Sequence, residues 1–122
     1  MGNLSKKELI QKGEGIFLRV IKEIRKSKEN LQIPTLYPVI LSITDGHINV
    51  WIIPKSEENK KWIAVFPNKI GNRKIAQDAI CLYLHKNKKR YFDGENGDPN
   101  IVKTGRIYSS EDYSIVIFVT SD

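Results

Sequence analysis

Cysteine and histidine are nearly absent from this chain: Cys81, His47 and His85 are the only such residues among 122. A lone thiol forms no internal disulfide, so the fold is expected to rest on its core, in a reducing, cytoplasmic setting. The same scarcity leaves little from which to build a metal centre. No run approaches the roughly 18 apolar residues of a membrane-spanning helix. The opening MGNLSKKELIQKGEG carries no apolar segment of the signal-peptide kind. Gly2 does not begin a myristoylation motif, because the hydroxyl position that the motif requires is Lys6. G-x-x-x-x-G-K-S/T, G-x-G-x-x-G and H-E-x-x-H are all missing, which removes P-loop, dinucleotide-binding and zincin chemistry. A soluble protein without cofactor, metal or membrane partner is expected.

What the chain does have is positive charge, unevenly spread around a net +6. Residues 1–36 hold eight Lys/Arg against four Glu, and residues 37–68 balance. Residues 69–90 hold seven Lys/Arg against Asp78 alone, while residues 91–122 are net negative by four. A basic middle beside an acidic tail implies an anionic partner or complementarity within the fold. With 40% apolar and 28% charged residues, the composition is that of one globular domain over residues 1–122.

Ser5-Lys6-Lys7-Glu8 reads as a capping box that opens a helix. Beyond it, Leu9, Ile10, Gly13, Ile16, Phe17, Val20, Ile21 and Ile24 fall within about 140° of arc at about 100° per residue. Lys12, Arg19, Lys22 and Lys26 lie off that arc. Gly13 and Gly15 each weaken a helix by about 1 kcal/mol relative to Ala, and close approach to a sheet is an expected reason for Gly13. Next, Asp45-Gly46 suits a two-residue type I′ turn. It would pair Ile43 with Ile48, Leu41 with Val50 and Val39 with Ile52 on one face, and Ser42 with Asn49 and Ile40 with Trp51 on the other. KWIAVF, residues 61–66, reads as a third strand. Asn72 caps a second helix from Arg73 to about Lys86, largely buried through Ile75, Ala76, Ala79, Ile80, Leu82, Tyr83 and Leu84. GRIY and DYSIVIFVTS make a last antiparallel pair. Its Ile115–Val119 run is apolar throughout, as in a central strand covered on both faces. The expected fold is α+β, of order α-β-β-β-α-β-β, with a mostly antiparallel sheet packed against a long N-terminal helix and a second, central helix.

Several constellations bear on chemistry. Asp78, Cys81 and His85 share one face of the second helix at metal-ligand spacing, with His47 as a conceivable fourth group. Asp93, Glu95 and Asp98 alternate as in a calcium loop, but Thr104 stands where that loop needs Glu. Both are read as solvated surface, and no metal is assigned. HKNKKRYF sets Lys86, Lys88, Lys89 and Arg90 beside Tyr91 and Phe92. Such a run complements a helix C-terminus, and it equally offers phosphate contacts with a stacking ring. Arg73 and Lys74 lie at the other end of the helix, roughly 18–20 Å away, a span that suits an extended polyanion.

Two family patterns meet these residues. RKIAQDAI, residues 73–80, is similar to the second-helix pattern K-K-x-A-K-x-x-A-A of the double-stranded-RNA-binding domain, whose order is also α-β-β-β-α. The resemblance implies phosphate contacts from Arg73 and Lys74; Gln77 stands where a third basic residue is expected. The helix-strand order also resembles the PD-(D/E)xK nuclease core. There, the metal-binding positions would fall on Val39 and Ile52, and the lysine position on Pro54. A literal spacing of Asp45, Glu58 and Lys60 uses a turn and a loop, whereas metal-assisted phosphodiester chemistry needs carboxylates on rigid elements. No catalytic residue is assigned.

The expectation is therefore a small non-catalytic module that binds nucleic acid through phosphate contacts from Arg73, Lys74, Lys86, Lys88, Lys89 and Arg90, with Tyr91 as a stacking ring. The alternative is a protein-interaction module, such as an adaptor, immunity or regulatory protein. It would use Ile40, Trp51 and Ile53 or the acidic 93–112 segment, or meet an acidic protein through the basic one. A degenerate or toxin-like nuclease stands third.

Overall fold

A computed structural model describes residues 4–28, 36–53, 60–88, 103–109 and 112–120. The elements are α1 (Lys6–Lys28), β1 (Leu36–Ile43), β2 (His47–Ile52), β3 (Lys61–Pro67), α2 (Arg73–Lys86), β4 (Lys103–Ser109) and β5 (Ser114–Thr120). The strands form one antiparallel sheet in the order β3-β2-β1-β5-β4. Buried side chains from both helices and from alternate strand positions make a single core, so α1 and α2 share one face of the sheet. This is the expected α+β architecture. No described helix is long and apolar enough to cross a membrane.

At the start of α1 the Glu8 amide donates to Ser5 Oγ at 3.1 Å, and the Ser5 hydroxyl donates to Glu8 Oε1 at 3.0 Å. The apolar arc lies inward, with Phe17, Val20, Ile21 and Ile24 buried; Leu18, off that arc, is exposed. Gly13 corrects one expectation. Its close neighbour is α2 rather than the sheet: a Cβ there would lie 2.5 Å from the Ala79 carbonyl carbon and 3.0 Å from Tyr83 Cβ. The missing side chain lets two helix backbones approach, and beside it Phe17 packs on Tyr83 with ring centroids 5.8 Å apart.

The β1–β2 register is the expected one, from Val39 opposite Ile52 to Ile43 opposite Ile48. The turn that closes it is not. Neither Asp45 nor Gly46 has a positive φ, so the type I′ geometry is absent. Thr44 donates its amide to the His47 carbonyl at 2.8 Å, and the His47 amide turns to Thr44 Oγ1 at 2.9 Å. That leaves the Thr44 carbonyl to accept from Asn68 Nδ2 at 2.9 Å. Asn68 is buried, and its Oδ1 accepts the amides of Ile70 and Gly71. One side chain thus ties the β1–β2 turn to the β3–α2 turn, and tertiary contact replaces local turn preference.

A second departure shapes the outer face of the sheet. Simple alternation would set Trp62, Ala64 and Phe66 together on the core face. Instead the β2–β3 register shifts between Val50 and Trp51, a β-bulge with Ile63 as the extra residue. Ala64 and Phe66 stay in the core, while Trp62 comes opposite Trp51. Bulges re-aim side chains in this way. Trp62 is left 53% exposed, which forgoes on the order of 2–3 kcal/mol of indole burial. Strand β5 lies inside the sheet with Ile115 and Ile117 buried, but Val116 is only half-buried. The expectation of cover on both faces is corrected there: among the described residues the helices shield one side only.

Candidate nucleic-acid interface

Helix α2 begins at Asn72, whose Oδ1 accepts the Ile75 amide at 3.0 Å. The Arg73 amide donates to Asp45 Oδ1 at 3.0 Å, so that carboxylate serves the helix N-terminus and complements its dipole. The Arg73 guanidinium lies over the Tyr113 ring, 4.4 Å from its centroid. Tyr113 holds this place with a left-handed backbone, φ 62°, an uncommon state for a non-glycine residue. Lys74 faces Asp78 at 3.7 Å on an exposed surface. At the C-terminal end, the Asn87 amide and Nδ2 both donate to the Tyr83 carbonyl, at 3.1 and 2.9 Å. Lys86 and Lys88 beside it are exposed. Lys89, Arg90 and Tyr91 lie outside the described residues, as do Asp93, Glu95, Asp98 and Glu58.

The structure adds a feature that charge counting along the chain missed. Between α1, the end of β3 and the turn before α2 runs a groove of about 310 Å³, lined by Lys12, Gly15, Ile16, Arg19, Phe66, Pro67, Lys69 and Ile70. Its floor is apolar, its three charged residues are cations, and no carboxylate lines it. Arg19 is held in place: its guanidinium lies 5.3 Å from the Phe66 centroid and its Nε donates to Glu23 Oε1 at 3.1 Å. A Cβ on Gly15 would meet nothing within 4 Å, so this glycine leaves the helix backbone open at the groove wall. The sequence signal was present in Lys12 and Arg19, off the apolar arc of α1, but only the fold brings Lys69 to them.

On the opposite face of the sheet, Ile40, Trp51 and Ile53 are each half-buried. Neither helix covers them. Lys60 Nζ sits 4.3 Å above the Trp51 ring, and Trp62 Nε1 donates to Asn49 Oδ1 at 3.2 Å. Val65 on the same face is exposed.

Elsewhere the chemistry is sparse. No group of three or more His, Cys, Asp or Glu residues forms a metal-binding cluster among the described residues. Cys81 is half-buried, and its pKa is pushed up, first by burial and then by the charge of Asp78. That shift disfavours the thiolate, the form that acts as nucleophile or metal ligand. Asp45 and Lys60, two members of the nuclease-like spacing, are engaged at the α2 amide and on the Trp51 ring. No protein-family model, curated protein or solved structure matches the chain, so the chemistry of these surfaces is the guide to function.

Proposed function

We propose that this chain is a non-catalytic nucleic-acid-binding module that grips phosphates around the β3 edge of its sheet. The observation that carries this reading is the groove in which Lys12, Arg19 and Lys69 converge without a carboxylate among its lining residues. Lys60 and Lys61 stand at the other end of β3, about 20 Å along a seven-residue strand. None of the five strands contains Asp or Glu. Cations at both ends of an edge, over an extended distance, suit a polyanion better than a small ligand. Arg73, Lys74, Lys86, Lys88, Lys89 and Arg90 widen the footprint, and Tyr91 adds a ring to it.

The test is fluorescence anisotropy with labelled single- and double-stranded DNA and RNA, between about 50 and 200 mM salt. Binding is expected to fall steeply with salt. Changing Lys12 and Lys69 to Gln together should flatten the log–log slope by about 1.4 for a single strand, or about 1.8 for B-form DNA. Absence of binding to every oligonucleotide at about 50 mM salt would sink the reading.

A protein-interaction module is the second reading. Trp62 and Val65, exposed beside the half-buried Ile40 and Trp51, favour it, because contiguous exposed apolar surface marks interaction sites.

A further inference from the structure

Both tryptophans of the chain, Trp51 and Trp62, lie on the sheet face that the helices leave open, at paired positions of neighbouring strands. Paired cross-strand residues have Cβ atoms roughly 4.5–5.5 Å apart, so the two indoles form one patch. The bulge at Ile63 is what brings them together, since the unbulged register would set Trp62 opposite the buried Ile52. The Trp62 ring is also anchored: its Nε1–H is tied to Asn49, which leaves an oriented and more than half-exposed indole. We propose that this patch stacks unpaired bases, so that the partner of the module is single-stranded nucleic acid.

Charge decides between a nucleic-acid strand and a protein on this face. None of the five strands contains a carboxylate, and Lys60 Nζ stands over Trp51 on this face. Lys60 covers one face of Trp51, so bases stack on the exposed Trp62 ring while backbone phosphates meet Lys60 beside it, the arrangement by which single strands are held with little sequence preference. Beside the tryptophan pair, Ser42 and Asn49 sit opposite one another in the β1–β2 register and offer hydrogen-bonding groups to base edges. A strand lying here turns the β3 edge to reach Lys69 and the groove on the helix side. A duplex presents no free base faces, and its stacked pairs give the indoles nothing to hold. The inference rests on the nucleic-acid reading above and narrows it to one substrate class.

Because Trp51 and Trp62 are the only tryptophans, intrinsic emission reports on this patch alone. The full chain is titrated with unlabelled oligo(dT) and oligo(rU) of about 12 nucleotides, within the range one small binding face covers, and with a duplex of equal length. Anisotropy of the labelled forms is followed in parallel. Single strands should bind more tightly than the duplex and quench the emission. Trp62→Ala should lose about tenfold or more in affinity, while Trp62→Phe, which keeps a stacking face, retains most of it. Circular dichroism checks that both variants fold. Binding by anisotropy with unchanged emission and an unaffected Trp62→Ala would overturn the stacking patch but leave the phosphate grip standing. A preference for duplex would do the same. If no oligonucleotide binds, both readings fall. Self-association of the chain that Trp62→Ala abolishes, without oligonucleotide binding, would assign the face to a second copy instead and overturn the proposal.

Discussion

Gly13 and Gly15 stand two positions apart in one helix, yet the structure predicts opposite responses to the same substitution. Each glycine costs the helix about 0.8–1 kcal/mol relative to Ala. At Gly15 a new methyl group meets nothing within 4 Å, so Gly15→Ala should keep most of that gain and stabilise the fold by about 0.5–1 kcal/mol. At Gly13 the methyl would overlap the Ala79 carbonyl and press on Tyr83 Cβ at 3.0 Å. Both are parts of α2 that cannot swing aside as a long side chain would. Relief requires α1 and α2 to separate, which loosens the Phe17–Tyr83 contact. Overpacking of this kind costs about 1–3 kcal/mol, and lost helix-pair contact adds to it. After the propensity gain, Gly13→Ala should remain destabilised by about 1–3 kcal/mol. In a chain of 122 residues, 1 kcal/mol corresponds to about 4 °C in Tm. Thermal and urea unfolding followed by far-ultraviolet circular dichroism would show a rise of about 2–4 °C for Gly15→Ala and a fall of about 4–12 °C for Gly13→Ala. A Gly13→Ala protein as stable as the wild type would refute the close α1–α2 crossing.

Two further outcomes follow from buried groups. Asn68→Ala strips the Thr44 carbonyl and the Ile70 amide of a partner at a buried position, while the Gly71 amide keeps the backbone carbonyl of residue 68. It should cost about 1–3 kcal/mol in urea denaturation; a neutral result would mean that the two turns are not joined through this side chain. Cys81 should react with iodoacetamide along a pH profile displaced above that of a free thiol, and Asp78→Asn should bring the profile part of the way down. The linked stability runs the same way. The unfolded thiol ionises first, so the full contribution holds below its ordinary pKa and is lost as pH rises through the higher folded value. The difference in stability between wild type and Cys81→Ala should therefore be flat at neutral pH and change in the alkaline range. A flat difference across both ranges would contradict it.

The parts of the fold legible in the sequence were those set by local rules. Ser5 and Glu8 announce α1, Asn72 announces α2, and alternation from Val39 to Ile52 fixes the β1–β2 register whatever closes the turn. Local rules failed where a partner distant in sequence took over. Asp45-Gly46 has the composition of a type I′ turn, but the Thr44 carbonyl finds Asn68, 24 residues on, and the turn opens accordingly. Gly13 was recognisably a point of close approach, but periodicity within α1 does not say whether a sheet or a helix lies opposite. Arg73 and Lys74 were legible as exposed cations at a helix start, and that is where they stand; the stacking of Arg73 on Tyr113 needed the chain to return 40 residues later, as their numbers show.

The aromatic patch shows most clearly why a candidate site can hide in a readable strand. Simple alternation along KWIAVF would pack Trp62, Ala64 and Phe66 inward and leave Trp51 without a tryptophan opposite it. One extra residue at the bulge reverses the outcome for Trp62, and for Lys61 before it, while Ala64 and Phe66 lie beyond it and keep their face. A bulge has no dependable residue signature when the extra residue is an isoleucine rather than a glycine. Moving the largest side chain of β3 out of the core is unfavourable for folding, and the Trp62–Asn49 hydrogen bond recovers only part of that loss. Structure that is unfavourable for stability and well ordered in geometry is what binding surfaces commonly require. The proposed stacking patch gives that exposed indole a role that the fold does not.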